Sequence, residues 1–356
     1  MTIGCKFTRL ITMPRLTWLA MCVCLTASCG GPADQSQGAI KTGPRLYVTN
    51  ERSGTLTIVD VSKRNVVATI PLGKRPRGLK PSLDGRRLFV ALSGSPIAGP
   101  GVDESKLPPP DRQADGIGVV DLQTNALVTT LQGGSDPEQV EISKDGLSLF
   151  VANEDAGQMS VIDVASRKVV QTYKVGSEPE GVSASPDGKF VYVTSEGEGA
   201  VFVIDLAKKQ TVTSFEVPPR PRSIAFLPNG TRAYVTSENG AALSLVDVDR
   251  HVVMQTIPLG DGIRPMGVVS SRDGSRVYVS TGRSRSVLAV DTATNQVIWS
   301  VEAGPRPWGI AVSADGSTLY TANGSSNDVS VIDVASRQVV AKIPVGEGPW
   351  GVSLIE

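Results

Sequence analysis

Residues 179–217, PEGVSASPDGKFVYVTSEGEGAVFVIDLAKKQTVTSFEV, decide the fold, because they contain four short strand patterns separated by turn signals. Strands are predicted over Gly181–Ser185, Phe190–Ser195, Val201–Asp205 and Thr211–Val217. The Asp-Gly pair between the first two strands is a strong hairpin signal. The stretch therefore predicts one antiparallel sheet of four strands, which we label a, b, c and d in chain order.

Seven copies of this unit follow one another along the chain, and three markers define their register. An aromatic residue marks strand b at Tyr47, Phe89, Phe150, Tyr192, Tyr234, Tyr278 and Tyr320. An aspartate ends strand c at Asp60, Asp121, Asp163, Asp205, Asp247, Asp291 and Asp333. A proline opens strand a at Pro76, Pro137, Pro179, Pro221, Pro265, Pro307 and Pro349. Four-stranded repeats of this length are typical of β-propellers. The sequence predicts an all-β, seven-bladed β-propeller over residues 45–356, with an inserted loop at residues 93–116.

The two ends of the repeat array complement each other. The first copy begins at strand b (Leu46) and has no strand a before it, whereas the chain ends on a strand a, Pro349 to Ile355. We expect the C-terminal strand to join the first blade, because closure removes the exposed sheet edge.

Charge and composition exclude several classes of function. The 356 residues include 35 Lys and Arg and 35 Asp and Glu, so the net charge is zero, which argues against nucleic-acid binding. The only histidine is His251, which excludes multi-histidine metal sites and most histidine-based catalysis. We expect neither a metal nor a cofactor. His251 itself is predicted to be a solvent-exposed turn residue, and the aspartates that end strand c are predicted to cap the turns that follow them.

The N-terminus has the pattern of an export signal. Residues 1–28 carry three basic and no acidic side chains and an apolar segment of about ten residues, which is too short to span a bilayer. This segment is followed by Ala27-Ser28-Cys29, which is similar to a bacterial lipobox. We expect a lipoprotein signal peptide over 1–28, lipidation of Cys29 and a flexible tether over 29–44. Simple cleavage without lipidation, or a buried N-terminal helix, would be the alternatives. The predicted location is the periplasm or the outer membrane, with a lipid anchor as the only membrane contact.

The repeat motif resembles that of a known group of proteins. Tyr47-Val48-Thr49-Asn50, with the recurrent Asp-Gly turns and strand-ending aspartates, is similar to YVTN-type seven-bladed propellers. Within that group, the sequence looks most like propellers associated with pyrroloquinoline-quinone-dependent alcohol catabolism. The stretches that carry the closer resemblance include Lys74-Arg75-Pro76-Arg77-Gly78, Val151-Ala152-Asn153-Glu154-Asp155 and Pro349-Trp350-Gly351. The resemblance implies a propeller fold, and related seven-bladed propellers include lactone hydrolases.

A candidate site is predicted where the seven copies differ. In a propeller, the loops before strand a and between strands b and c share one face, which we call the top face. The residues that flank the blade-opening prolines should therefore surround the top mouth of the central channel. The candidate ligand-binding residues are Arg75, Arg77, Asp136, Glu138, Glu178, Glu180, Arg220, Arg222, Arg264, Arg306, Trp308 and Trp350. A second ring from the b–c loops adds Glu51, Arg52, Glu154, Asp155, Glu196, Glu238 and Arg283.

Two interpretations of this mouth remain open. Arginines and tryptophans could bind a small polar or anionic ligand, since guanidinium groups pair with carboxylate or phosphate and also stack on indole. Alternatively, the charges form salt bridges that lock the blades together. The inserted loop is open to two interpretations as well, either a lid or partner-docking loop or a surface elaboration.

Three functions are compatible with these residues. We favour a non-enzymatic binding or scaffold protein of the cell envelope, with an unidentified protein partner or a small anionic ligand at the top face. A role as an accessory of quinone-dependent alcohol catabolism follows from the closer resemblance alone. The alternative is a lactonase-like hydrolase, for which Glu138, Glu180 and Arg222 could supply a base and an electrostatic stabiliser. No activated nucleophile is visible, so catalytic residues are not assigned.

Overall fold

The computed structural model describes residues 43–97, 103 and 106–356. The predicted signal peptide, Cys29 and most of the tether lie outside the described residues. Among the residues that are described, no helix is long and apolar enough to cross a membrane.

The described chain forms 28 strands and one short 3-10 helix, Gly282–Ser284. The strands of the first four blades are, in chain order, β1 (Arg45–Asn50), β2 (Thr55–Asp60), β3 (Asn65–Pro71), β4 (Pro76–Pro81), β5 (Arg87–Leu92), β6 (Gly116–Asp121), β7 (Ala126–Leu131), β8 (Pro137–Ile142), β9 (Ser148–Asn153), β10 (Gln158–Asp163), β11 (Lys168–Lys174), β12 (Pro179–Ala184), β13 (Phe190–Ser195), β14 (Ala200–Asp205) and β15 (Gln210–Glu216). The remaining strands are β16 (Pro221–Phe226), β17 (Arg232–Ser237), β18 (Ala242–Asp247), β19 (Val252–Pro258), β20 (Val268–Ser270), β21 (Arg276–Ser280), β22 (Ser286–Asp291), β23 (Gln296–Glu302), β24 (Pro307–Val312), β25 (Thr318–Asn323), β26 (Asp328–Asp333), β27 (Gln338–Pro344) and β28 (Pro349–Ile355).

These strands make seven antiparallel sheets of four, which confirms the predicted seven-bladed propeller. Blade 1 has the order β28-β1-β2-β3, so the C-terminal strand supplies the innermost strand of the first blade. Leu46 pairs with Leu354 and Val48 with Val352 across this junction. The other six blades are each continuous in sequence, from β4–β7 as blade 2 to β24–β27 as blade 7. The ring therefore closes by strand pairing, as the sequence predicts.

The hydrophobic core is divided among the seven interfaces between neighbouring blades. Between blades 2 and 3, for example, Phe89 and Ile117 pack against Val140 and Leu149, all of them buried. Alternating apolar residues on both faces of the inner strands supply this packing, because each sheet is covered on both sides by its neighbours. The outermost strands are mostly exposed, so the interior of the ring carries the stability.

The turns after strand c are capped as predicted. In each of the seven blades, Oδ1 of the strand-ending aspartate accepts a hydrogen bond of 2.6–3.0 Å from the backbone N–H three residues later. The repeated aspartate is therefore part of the framework.

The prediction for His251 is right about the turn and wrong about its exposure, since the residue is half-buried. Its backbone has a positive φ of 54° in the turn between β18 and β19, and its ring packs edge-on against Phe190 of the preceding blade with centroids 4.6 Å apart. Nδ1 of His251 shares a 2.7 Å hydrogen bond with the hydroxyl of Tyr192. Burial lowers the pKa of His251. The ring therefore joins blades 4 and 5, a contact that depends on the neighbouring blade and has no signal in the turn sequence.

Blade 6 departs from the repeat. Its inner strand, β20, has only three residues, and Pro265 lies before the strand instead of opening it. Its b–c loop contains the short 3-10 helix. This irregular blade lies between blade 5, which supplies Arg222 to the top mouth, and blade 7, which supplies Trp308.

Candidate functional site

The residue after each blade-opening proline contributes to a ring at the top of the central channel. We call this set the inner ring: Arg77, Glu138, Glu180, Arg222, Met266, Trp308 and Trp350. Four consecutive blades, 2 to 5, supply charged side chains, which we call the charged arc. Blades 6, 7 and 1 supply Met266, Trp308 and Trp350, which we call the apolar arc. All seven side chains except the half-buried Trp308 are buried.

Backbone geometry brings the b–c loops next to this ring. The residue before the proline has a left-handed conformation in Arg75, Asp136, Glu178, Arg220 and Arg306, with φ between 39° and 62°. Non-glycine residues seldom adopt this conformation. It directs the carbonyl group toward the b–c loop of the same blade, where the N–H of Glu154, Glu196 or Glu238 donates to it at 2.8–3.0 Å. The glutamates of the second ring are thereby fixed beside the inner ring.

Arg77 lies at the centre of the first charged cluster. Its guanidinium is 3.2 Å from the carboxylate of Glu51, 3.7 Å from Asp136 and 3.6 Å from Glu154, and it also contacts Glu138. Four carboxylates, one from blade 1 and three from blade 3, thus surround the buried guanidinium of blade 2. Burial alone would lower the pKa of Arg77, but the surrounding carboxylates, with Glu51 the strongest, raise it above its ordinary value.

Arg222 lies at the centre of the second cluster. Its guanidinium is 2.9 Å from Glu180 and 2.7 Å from Glu238, and it also contacts Glu196. Nε of Arg220 donates to Glu196 at 2.6 Å from a more exposed position. The two clusters use the same local pattern, since Arg75 and Arg220 each bind the glutamate 24 residues earlier, Glu51 and Glu196 respectively.

Two glutamates at the mouth have strongly raised pKa values. Burial, reinforced by the neighbouring Glu180, raises the pKa of Glu154 to about 8 against the opposing effect of Arg77. Burial and Glu180 likewise raise the pKa of Glu196 to about 8. Glu238 behaves differently. Burial would raise its pKa, but Arg222, together with Arg220 and Arg283, lowers it. The Glu154 side chain is 31% exposed, compared with 2% for Glu138. Glu154 is therefore a carboxyl group that solvent reaches and that titrates near neutral pH.

The apolar arc carries a cation that the carboxylates do not neutralise. The guanidinium of Arg306 lies 4.7 Å from the ring centroid of Trp308, whose own ring is 5.6 Å from that of Trp350. Within the described part of the chain, Arg306 makes no ion pair shorter than 4 Å. Burial lowers its pKa against the opposing charge of Glu51, and the charges of Arg283 and Arg52 add to the lowering. An aromatic surface and an unneutralised guanidinium together suit a ligand that has a flat ring and electron-rich oxygen atoms.

A group of carboxylates with the spacing of a cation site lies in the first charged cluster. Asp136, Glu138 and Glu154 offer oxygen atoms within 4.8 Å of one another. Nη1 of Arg77 lies within 4 Å of all three carboxylates. The guanidinium therefore already supplies the positive charge that a metal ion would bring to this group.

The ends of the inserted loop are joined to the first charged cluster. Oγ of Ser93 donates a hydrogen bond to Asp136. The buried carboxylate of Asp115 accepts bonds from the N–H of Gly94 at 2.6 Å and of Asp136 at 3.2 Å. On the other side, Nη1 of Arg75 donates to the carbonyl of Ser95 at 2.8 Å. The sequence offered no signal for Asp115, a single acid at the end of a loop, because its role depends on the adjacent blade.

The structure thus brings together most, but not all, of the predicted site residues. Arg75, Arg77, Asp136, Glu138, Glu180, Arg220 and Arg222 belong to the two charged clusters, and Arg306, Trp308 and Trp350 to the apolar arc. Arg264 instead binds Asn239 at 2.7 Å on the exposed rim. Glu178 is exposed outside both clusters. Ligand binding by these residues stays a prediction, and the buried ion pairs match the salt-bridge interpretation as well.

Comparison with protein families identifies the fold family. The family model described as "Lactonase, 7-bladed beta-propeller" matches residues 111–342, well over half of the chain. The chain belongs to this lactonase family. A search of curated proteins gives no match.

Solved structures of other propellers resemble this lactonase-family chain over most of its length. The periplasmic gluconolactonase of Pseudomonas aeruginosa is 22% identical with a TM-score of 0.72, covering 88% of this chain and 99% of that one. A candidate 6-phosphogluconolactonase of Bacteroides uniformis is 18% identical with a TM-score of 0.70, covering 88% and 99%. The hydrazine synthase of Kuenenia stuttgartiensis is 21% identical with a TM-score of 0.70, covering 82% and 92%. At these identities, the likenesses show the fold.

Proposed function

We propose that this protein hydrolyses lactones at the top mouth of its propeller. The family match carries the proposal, because it links the chain to lactonases over 232 residues, from 111 to 342. The names of the gluconolactonase from Pseudomonas aeruginosa and the candidate 6-phosphogluconolactonase from Bacteroides uniformis support the same chemistry. This was the alternative in the sequence analysis, and it now has more support than a binding or scaffold role.

Opening a lactone ring requires a base that activates water and a positive charge that stabilises the oxyanion. We assign the base to Glu154, because its carboxyl group is partly exposed and has a pKa of about 8. We assign the positive charge to Arg306, whose guanidinium has no carboxylate partner among the residues described and lies over Trp308. Glu138, Glu180 and Arg222, the cluster first considered for this role, are buried in ion pairs and less accessible to a substrate.

The pH dependence follows from the raised pKa of Glu154. A general base acts in its deprotonated form, so kcat/KM should rise with pH and level off above about 8. A carboxylate with an ordinary pKa would give a plateau from about pH 5 upward.

The test uses glucono-δ-lactone and δ-valerolactone with a pH-indicator assay. Glu154→Gln should lower kcat/KM by about 10²-fold or more, since general-base catalysis contributes 10²- to 10⁴-fold. Glu198→Gln is the matched control, because Glu198 is an exposed glutamate in the b–c loop of blade 4 and should leave the rate unchanged. Wild-type activity in Glu154→Gln would remove Glu154 from the mechanism, and inactivity of the wild type on all lactones would reject the proposal.

A non-enzymatic binding or scaffold role is the second candidate. One observation favours it: the charged side chains of the inner ring are buried in ion pairs with one another, so they are neutralised and hold neighbouring blades together. The finer proposal, a link to pyrroloquinoline-quinone-dependent alcohol catabolism, has support only from short sequence stretches. Titration with pyrroloquinoline quinone tests it, and the absence of binding at micromolar concentrations would count against it.

Export to the cell envelope stays a proposal that rests on residues 1–28 and on Cys29. The name of the similar Pseudomonas aeruginosa protein, a periplasmic gluconolactonase, agrees with such a location.

A further inference from the structure

A cleft of about 440 Å³ lies on the top face beside the mouth. Residues 51–54 in the b–c loop of blade 1 line it, and so do the described residues 94–97, 108, 109 and 111 of the inserted loop. Its volume falls within the range of small-molecule sites. Glu51 and Arg75 line the cleft and also belong to the first charged cluster, so the cleft borders the cluster that contains Glu154.

The wall supplied by the inserted loop is apolar. Pro96, Ile97, Pro108 and Pro109 line it, and Ile97 leaves 39% of its surface exposed. Gly73 also lines the cleft, and no heavy atom lies within 4 Å of the position that a Cβ on it would take, so the space there is open. An apolar wall in a cleft with open space can shield a hydrocarbon group from water.

Most charges around the cleft are already paired. Lys74 binds Asp111 at 2.8 Å. Arg75 donates to Glu51 and to the carbonyl groups of Ser95 and Pro96 at 2.8–3.1 Å. Arg52, which makes no ion pair with any described residue, is the remaining cation that lines the cleft, and its charge also acts on Arg306. The cleft thus combines an apolar wall with one unneutralised donor.

We propose that the cleft binds an apolar acyl or alkyl substituent of the lactone, and that Arg52 binds a polar group where the substituent joins the ring. This inference rests on the proposed lactone hydrolysis. It adds a substrate class, namely ring esters that carry a hydrocarbon substituent, in place of small or polyhydroxylated lactones.

The kinetic test compares δ-valerolactone with δ-dodecalactone, which has the same six-membered ring and an added heptyl chain. The wild type should have a kcat/KM at least about tenfold higher for δ-dodecalactone, because the heptyl chain buries apolar surface against the wall of the cleft. Ile97→Asp should remove most of this preference and leave δ-valerolactone hydrolysis within about twofold, on the same burial argument. Leu83→Asp is the matched control, because Leu83 is an exposed apolar residue of the same blade, in the turn between β4 and β5 and outside the cleft.

A second readout separates this inference from the proposed hydrolysis. The binding of 2-heptyltetrahydropyran, which has the ring and chain but no ester, can be followed calorimetrically in the wild type and in Ile97→Asp. Weaker binding in the variant, with no lactone hydrolysed, would reject the hydrolysis and keep the cleft assignment. Lactone hydrolysis with no preference for the heptyl chain, or with a preference that Ile97→Asp leaves intact, would overturn the cleft assignment and keep the hydrolysis. A preference for 6-phosphogluconolactone that disappears in Arg52→Met would also overturn it, because the cleft would then be an anion subsite.

Discussion

Replacing Arg222 by methionine tests whether the charges at the mouth hold the blades together. Arg222 and Arg220 belong to the same Arg-Pro-Arg tripeptide and both contact Glu196. They differ in burial, because the Arg222 side chain is 9% exposed and the Arg220 side chain 42%. Arg220→Met is therefore a control that removes the same charge from the same carboxylate at a solvated position.

The expected loss of stability differs between the two variants. Arg222→Met leaves Glu180, Glu196 and Glu238 without their shared cation in a buried site. Breaking a buried ion pair by removing one partner costs about 3–5 kcal/mol. Arg220→Met removes a partly exposed contact, for which about 0–1 kcal/mol is typical.

The deficit of Arg222→Met should grow with pH. Without Arg222, the folded-state pKa of Glu196, already raised by burial and by Glu180, rises further above the unfolded value of about 4.3 for glutamate, and Glu238 loses the main charge that lowers its pKa. A raised folded-state pKa contributes stability that is present below the unfolded pKa and is lost as pH rises through the folded pKa. The deficit should therefore be smaller at pH 5, where the carboxyl groups of the variant can take up protons, and should reach about 3–5 kcal/mol at pH 9.

Urea titrations of the wild type and both variants at pH 5, 7 and 9 measure these differences. The reasoning would be refuted if Arg222→Met and Arg220→Met lost the same stability, or if the deficit of Arg222→Met did not depend on pH. A stable Arg222→Met with altered substrate affinity would instead assign Arg222 to ligand binding.

Three further predictions concern the framework and the N-terminus. Deleting Gly351–Glu356 should lower the free energy of unfolding by about 4 kcal/mol or more, because blade 1 loses about four backbone pairs, and an unchanged urea midpoint would contradict closure. Tyr192→Phe should lower the free energy of unfolding by about 1 kcal/mol in urea titration, because the hydrogen bond to His251 is lost. Blade 3 has a phenylalanine, Phe150, at the equivalent position. An unchanged free energy of unfolding would mean that the bond to His251 contributes nothing to stability. Cys29→Ser should abolish labelling with radioactive palmitate in bacterial cells, and persistent labelling would locate the lipid elsewhere.

The fold was predictable because its determinants are local and repeated. Each blade carries its own turn signals, so seven copies give seven independent readings of one pattern. Closure was predictable too, since blade 1 lacks one strand in the sequence and the C-terminus has one strand in excess, which completes it. Blade 6 shows the limit of this approach, because Pro265 has the repeat spacing and yet lies before a strand of three residues.

The composition of the candidate site was predictable, but its pairings were not. The repeat register identifies which residues surround the mouth, because equivalent positions of equivalent blades lie at the same level. It does not show that Arg77 binds carboxylates from two neighbouring blades while Arg306 binds none among the described residues. It also missed Asp115 and the role of His251, since Asp115 accepts from the N–H of Asp136 and His251 bonds to the hydroxyl of Tyr192, each on a neighbouring blade.

The asymmetry of the mouth has a consequence for how a ligand can bind. The seven inner strands have nearly equivalent backbones, so the backbone alone would offer a ligand seven similar orientations. The side chains remove this degeneracy, because the carboxylates of the two clusters, apart from Glu51, lie over blades 3 to 5 and the tryptophans lie over blades 7 and 1. A ligand with one apolar face and one electron-rich carbonyl would place that face over Trp308 and the carbonyl next to Arg306. Trp308→Ala should therefore weaken the binding of any lactone, whatever its substituent, whereas Ile97→Asp should act only on those with a hydrocarbon chain.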